Sequence, residues 1–525
     1  MFAKVLSGAL VGLDGVPVEV ETDILGGLPS FNIVGLPDKA VGESRERVRS
    51  ALKNISKKFF PDKKLTVNLA PGDLPKEGPA FDLPIAISIL LANQQLVADV
   101  KDSVFLGELS LDGTLRTTKG ILPVVLLSRE HGIKRVFVPE KNALEAAIVS
   151  GIEVYPAKNL RQIILHLSGV KLMKCAKTVS YKKYLRDDEY DFDMSDIRGQ
   201  EFVKRAIEVA VSGGHNILLK GPPGAGKTLI ARTIPSILPP LTFDEAIEVT
   251  KIYSISGLLD GNSLTPIGSG LMVSRPFRNP HHTTSHIGLI GGSTIPRPGE
   301  VSLAHRGILF LDEFPEFPRH VLEALRQPLE DGHVVVSRAK QRIQFPSRFM
   351  LVAAHNPCPC GFYGDPNHEC KCTTSEILRY KKRVSGPMLD RIDIHVDVPA
   401  VKVAKIVADE ENSAESSKTI RKRVIKARLV QELRFKGKSR EAGSRSAGKI
   451  LTNSEMTNRD IREFCKIDEE AREILKQALV RLSLSARAYH KMVKIAQTIA
   501  DLSSSPIIER QHILEALQYR PKLDI

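Results

Sequence analysis

From Lys64 to Ala70 the chain alternates apolar and polar residues, KLTVNLA, and Arg135–Glu140 reads RVFVPE, a second short apolar run. Both predict strands, because successive strand side chains point to opposite faces. FDLPIAISILLANQQ, Phe81–Gln95, predicts a helix, so residues 1–168 have an α+β pattern. Residues 169–195 turn polar and charged (YKKYLRDDEYDFDMS) with little periodic apolar signal, which predicts a linker. Beyond it, GQEFVKRAIEVAVSG places Phe202, Ala206, Ile207 and Ala210 at helical spacing, and HNILLKG is a short buried strand. GILFLDE, FMLVAAHN and DIHVDVP are further strands separated by helical stretches, so residues 196–400 predict a doubly wound parallel sheet. VVVSRAKQRIQFP, Val334–Pro346, alternates as a hairpin with Arg338, Lys340 and Arg342 near its tip. Residues 401–525 are helical with polar interruptions. The expected class is multidomain α/β: an α+β front domain, a central parallel sheet and a helical C-terminal domain.

Composition agrees. A chain of 525 residues that is 42% hydrophobic divides into about three domains, since single cores stop growing well below this length. The first residues break their apolar run at Gly12 and Asp14, and no later run approaches the ~20 apolar residues of a membrane span. A cytoplasmic location is expected, where six cysteines are thiols or metal ligands rather than disulfides. The net charge of +14 and a pI near 9.4 favour a polyanionic partner. Much of the excess lies between Lys418 and Arg445, either a phosphate track or a solvated helix and loop.

Within the central domain, GPPGAGKT fits the P-loop pattern between a strand and a helix. Its members are Gly221, Pro222, Pro223, Gly224, Ala225, Gly226, Lys227 and Thr228. Glycines let backbone N–H groups converge on phosphate oxygens, and the following helix adds its positive end. Lys227 neutralises the β- and γ-phosphates, and Thr228 with Asp312, at the end of GILFLDE, holds Mg²⁺. Glu313 is placed to polarise the attacking water as general base, which points to ATP hydrolysis over binding alone. Asn356, ending FMLVAAHN, either orients that water or turns the chain. Arg391 and Arg487 suit the charge on the γ-phosphoryl oxygens, from this subunit or a neighbour, or are ordinary surface arginines.

GPPGAGKT, RPFRNPHHTTS, GEVSLAHRGILFLDEFPEF, HNPCPCGFYGD, GPMLDRIDIHV and SARAYHKMVKIAQTIADL together resemble the ComM/YifB family of magnesium-chelatase-like AAA+ ATPases, over nearly the whole chain. The resemblance implies an AAA+ core, a C-terminal helical lid and a ring, a hexamer, with ATP between subunits. It implies Asn356 as sensor 1, Arg391 as arginine finger, Arg487 as sensor 2, and an insertion between Lys227 and Asp312. It also implies a DNA motor that drives branch migration during recombination of incoming DNA in natural transformation. The competing class is a magnesium-chelatase-like ATPase that remodels a protein partner. Under the first, the hairpin residues Arg338, Lys340 and Arg342 track phosphates without reading bases. With 5% aromatics and no tryptophan, stacking is not the main grip.

KEGPAFDLPIA, LGELSLDGTLR and KGILPVVLLSREHGIKRVFVPEKN resemble the proteolytic domain of Lon. That domain needs a serine nucleophile and a lysine base. The matching positions here are Ala80 and Leu122, so the resemblance implies a Lon-like fold without peptidase activity, a ring-forming or DNA-binding scaffold; nothing in the spacing recruits Ser88 or Ser110 instead. Finally, Cys358, Cys360, Cys370 and Cys372 lie just after Asn356. Four thiolates suit tetrahedral Zn²⁺, with His368 able to replace one, although C-x-C is tighter than the common pair spacing; four reduced thiols are the alternative.

Overall fold

The computed structural model describes residues 1–178, 181, 190–259, 270–292, 296–337, 342–365, 368–400, 415–436, 439–440, 448–482 and 485–520. The chain forms two compact units: residues 1–186 with 241–274, and residues 187–240 with 275–525. This division differs from boundaries at 168, 195 and 400. Met194, inside the expected linker, is buried in the core of the second unit, and the backbone N–H of Ser417 donates to Asp193 Oδ1 at 3.1 Å.

The front unit is built on a mixed seven-stranded sheet. Its spatial order is Ser30–Val34, Lys64–Ala70, Asp14–Leu25, Phe2–Val11, Ser103–Phe105, Arg135–Pro139 and Glu153–Ala157. The alternation of KLTVNLA places Leu65, Val67 and Leu69 in the core, paired with the Asp14–Leu25 strand. Helix Asp82–Ala92 is apolar nearly all round and correspondingly buried. Segment 241–274 joins this unit through helix Phe243–Ser256. That helix starts in a Thr242–Glu245 capping box, and its Ser254 hydroxyl donates to the buried Glu145 carboxylate at 2.5 Å.

The second unit carries a five-stranded, fully parallel sheet in the order Phe277–Arg278, Ile308–Leu311, Met350–His355, Ile217–Lys220 and Ile394–Asp397. Four of these are the strands expected from the sequence, and their apolar runs reflect burial on both faces. The two-residue edge strand Phe277–Arg278 is not among the expected strands, since it is too short to show a pattern. The C-terminal helices share one core with it: Val424, Ile495, Ile499 and Ile513 join Ile217, Phe310, Val352 and Ile394. Antiparallel strands His333–Ser337 and Arg342–Pro346 form the expected hairpin.

Part of the basic stretch is used within its own unit, while Lys438 and Arg445 lie outside the described residues. On helix Ser417–Phe435, Arg423 binds Glu208, Arg428 donates to Val211 O at 2.7 Å, and Arg434 grips Asp501 with an Nη1–Oδ2 distance of 2.9 Å. These guanidiniums hold the helix to its own unit, leaving Lys418, Lys422, Lys426 and Lys436 exposed.

Candidate active site

All five strands of the parallel sheet run the same way, so the loops after their carboxyl ends gather at one edge. The glycine-rich loop follows Ile217–Lys220 and opens helix Lys227–Ile237. Gly224 and Gly226 hold φ of +76° and +82°, the left-handed region that glycine adopts without strain, and a Cβ at Gly221 would lie 2.2 Å from Val398 O. The Lys227 ammonium turns into the loop and donates to Gly221 O at 2.7 Å, Pro222 O at 2.8 Å and Asn356 Oδ1 at 3.0 Å. Burial pulls this ammonium below its ordinary pKa, against the opposing charge of Asp312.

Thr228 Oγ1 donates to Asp312 Oδ2 at 2.7 Å. A hydroxyl and a carboxylate side by side form the hard-oxygen set that Mg²⁺ takes. Asp312 Oδ1 accepts from the Glu313 N–H at 2.9 Å, and Glu313 itself has φ +50°. Its carboxylate lies 2.9 Å from His282 Nδ1. His282 sits in the quoted RPFRNPHHTTS stretch, but only the fold, which pairs Phe277–Arg278 with Ile308–Leu311, brings it to Glu313.

The sheet thus joins Lys227, Thr228, Asp312, Glu313 and Asn356 at one edge. It does not bring Arg391 or Arg487 to them. Arg391 precedes strand Ile394–Asp397, and its carbonyl accepts from Asn216, which precedes Ile217–Lys220; both mark the amino edge. A four-residue strand spans about 13 Å, so the finger candidate and the P-loop lie at opposite ends of adjacent strands. Arg391 and Arg487 instead meet at one carboxylate, Glu330 Oε1, at 2.6 and 3.0 Å. Burial works against ionisation of Glu330, but Arg391 first and then Arg487 hold its pKa below the ordinary value. No sequence signal singles out Glu330; it ends a short helix, Arg326–Asp331, far from both arginines along the chain.

The four cysteines converge. Sulfur separations are 3.3 Å for Cys358–Cys360, 3.7 Å for Cys358–Cys370 and 3.6 Å for Cys360–Cys370, and the Cys360 N–H donates to Cys372 Sγ at 3.4 Å. Zn–S bonds of ~2.3 Å in a tetrahedron put sulfurs about 3.8 Å apart, so the donor set fits zinc with little movement. A hydrogen bond from the Phe362 backbone leads the effects that hold the Cys360 thiol down to about 6. His368 pairs with Asp365 at 3.1 Å instead of joining the cluster. The cluster also reaches further than the sequence suggests: a Cβ at Gly361, φ +87°, would lie 2.5 Å from Pro223 Cδ, so the cysteine loop packs against the P-loop itself.

Of the hairpin cations, Arg342 is exposed, while Arg338 and Lys340 lie outside the described residues. In the front unit, Ala80 lies in the turn Pro79–Phe81 and Leu122 is fully buried. Neither alternative serine faces a base: Ser88 Oγ shares a hydrogen bond with Thr22 at 2.6 Å, and Ser110 Oγ accepts from Arg116 at 2.7 Å. Among the described residues, no helix is long and apolar enough to cross a membrane.

Family models place the chain consistently with this geometry. Residues 193–406 match "Magnesium chelatase, subunit ChlI", residues 20–142 "Subunit ChlI of Mg-chelatase", and residues 414–520 "Magnesium chelatase, subunit ChlI C-terminal". The chain is 41% identical over 520 residues to Competence protein ComM of Haemophilus influenzae, covering 99% of this chain and 97% of that relative. It is 41% identical over 514 residues to the uncharacterized protein YifB of Escherichia coli, covering 98% and 96%. A Lon protease of Lachnoclostridium phytofermentans is 25% identical over 169 residues, 30% of this chain and 21% of that protein. The chain belongs to the ComM/YifB family of magnesium-chelatase-like AAA+ proteins, with a Lon-like region at its front.

Proposed function

We propose that this protein is an ATP-hydrolysing, ring-forming motor that acts on DNA, driving branch migration during recombination of incoming DNA. The observation that carries the ATPase part is the joined set at the sheet edge: Lys227 bonded to Asn356, and Thr228 bonded to Asp312. ATP places its phosphates in the glycine-rich loop, where Lys227 exchanges its carbonyl partners for phosphate oxygens. Thr228 and Asp312 would hold Mg²⁺, which would supply positive charge against the phosphates. Glu313 leaves His282 and accepts a proton from the attacking water, which Asn356 orients in line with the γ-phosphorus; as the new P–O bond forms, the bond to the β,γ-bridging oxygen breaks and ADP leaves with its electron pair.

Arg391 and Arg487, at the opposite sheet edge, serve the nucleotide of a second copy. That arrangement supports a ring with ATP at subunit interfaces; the hexamer follows the family resemblance. The clustered cysteines hold a structural zinc ion, which adds a fixed cross-link to the loop against Pro223. DNA as the substrate draws on the competence named in a relative and on the charge of +14, with Arg338, Lys340 and Arg342 on the hairpin tracking phosphates. The second reading is an ATPase that remodels a protein partner, favoured by the magnesium chelatase family models.

The test is steady-state ATP hydrolysis with and without single-stranded, duplex and four-way-junction DNA, beside Glu313→Gln. Stimulation by DNA that vanishes in the variant supports the motor. A rate indifferent to every DNA, yet abolished in Glu313→Gln, rejects DNA as substrate and leaves the remodelling ATPase.

A further inference from the structure

The front unit keeps a Lon-like region with carbon side chains, Ala80 and Leu122, at the catalytic positions, so its retention asks for another role. Its charge is unevenly placed. Between Arg45 and Lys64 the only carboxylates are Glu46 and Asp62, both exposed, set among a run of lysines and arginines. Arg47 is taken up internally, its Nε donating to the buried Asp82 at 2.6 Å, and Arg45 Nε donates to Gly42 O. The remaining six, Arg49, Lys53, Lys57, Lys58, Lys63 and Lys64, have no carboxylate within ion-pair distance among the described residues. Three exposed lysines elsewhere on the same unit are paired, Lys4 with Glu19 at 2.6 Å, Lys134 with Asp102 at 3.0 Å and Lys158 with Glu140 at 3.5 Å, and serve as controls.

The six lie on one helix and on the chain segment whose Phe60 packs beneath it. Arg49 and Lys53 stand one turn apart on helix Lys39–Ile55, whose other side buries Val41, Val48, Ala51 and Leu52. Both lie over the Phe60 ring, at 5.8 and 5.7 Å from its centroid. Phe60 belongs to the loop that carries Lys57 and Lys58 before it and Lys63 after it and that leads into strand Lys64–Ala70, so the ring fixes this segment beside the helix. Like charges one turn apart disfavour the helix, a repulsion that a bound polyanion relieves. Phe60 is buried beneath the cations, leaving little aromatic surface of the kind that anchors a protein partner.

We infer that this face of the front unit, Arg49, Lys53, Lys57, Lys58, Lys63 and Lys64, is a sequence-independent DNA-binding surface that grips the phosphate backbone. The inference rests on the DNA reading above and deepens it by giving the front unit a substrate contact of its own. Contacts of this kind position a strand without reading bases, and their affinity is set by counterion release.

The full chain is titrated into fluorescently labelled single-stranded DNA across a range of salt. The unmodified protein is compared with Arg49→Glu/Lys53→Glu/Lys57→Glu/Lys58→Glu, with the same four sites changed to Gln, and with reversals at Lys4, Lys134 and Lys158. Four lost phosphate contacts flatten the slope of log affinity against log salt by about 3 and weaken binding by more than tenfold, with Gln following Glu in direction. Unstimulated ATP hydrolysis stays unchanged in every variant, and a thermal unfolding profile matching the unmodified chain reports an intact front unit. If the unmodified chain binds DNA and both four-site variants bind with the same affinity and slope, the surface is wrong and the motor stands. If the control reversals weaken binding equally, net charge alone is responsible and the surface is likewise wrong. If the unmodified chain binds no DNA at any salt, both readings fall together.

Discussion

Glu330→Ala isolates the carboxylate that gathers the two arginines proposed to act on a neighbouring nucleotide. The Arg391 side chain is only 6% exposed, and Glu330 lies 2.6 Å from its Nη2; its other bond is to Pro387 O, and its buried Nε has no partner. Removing the carboxylate costs a hydrogen bond between two charged groups, about 1.5–3 kcal/mol. Arg487 and Glu330 are each 45% exposed, so their contact adds ~0–1 kcal/mol. If that energy holds Arg391 in its working orientation, hydrolysis by the assembled protein falls by about 10- to 150-fold, since each ~1.4 kcal/mol is tenfold. The fall is in kcat, with KM for ATP little changed, because the arginines are proposed to meet charge that develops on the neighbour's γ-phosphoryl group in the transition state. The assay is steady-state hydrolysis of Glu330→Ala, Arg391→Ala and the double variant, with Glu330→Asp as partial rescue. A carboxylate that works through Arg391 adds no further loss once Arg391 is gone. Losses that multiply in the double variant, or a Glu330→Ala enzyme within about twofold of the unmodified rate, refute the reasoning.

Two further outcomes follow from the same unit. Cys358→Ser/Cys370→Ser removes half of the thiolate set and is expected to abolish zinc in elemental analysis of the purified chain; because Gly361 packs on Pro223, it also weakens ATP binding measured by a fluorescent analogue. Unaltered zinc and nucleotide affinity would sink the clip. Burial chiefly lowers His355 and His395 from 6.5 to about 4, so between these values the unfolded chain binds the extra protons. Stability is therefore lost as pH falls from about 7 towards 4, by roughly 2 kcal/mol for each histidine at about pH 5. Chemical denaturation at the two pH values checks it, and a flat profile contradicts it.

The nucleotide-binding loop was legible because its requirement is local. Glycines at Gly224 and Gly226 take left-handed backbone, and the loop lies between one strand and one helix adjacent in sequence. Asp312 and Asn356 were legible for a related reason: both lie at the ends of apolar runs, and a parallel sheet collects strand ends at one edge. His282 and Glu330 were not, because each acts through a residue distant in the chain and has no periodicity of its own. The basic run on Ser417–Phe435 was legible only as a count of cations, since sequence does not show that Arg423, Arg428 and Arg434 are used on Glu208, Val211 and Asp501.

By itself the sequence determined four strands of the parallel sheet, the glycine-rich loop between a strand and a helix, and the paired cysteines. These depend on residue type and short spacing. Tertiary structure decided that segment 241–274 packs with the front unit, that Arg391 and Arg487 share Glu330 away from the P-loop, and that the cysteine loop touches Pro223. The physical reason is the strand order: Phe277–Arg278, Ile308–Leu311, Met350–His355, Ile217–Lys220 and Ile394–Asp397 lie side by side in an order the chain does not follow, so which side chains meet is fixed by packing.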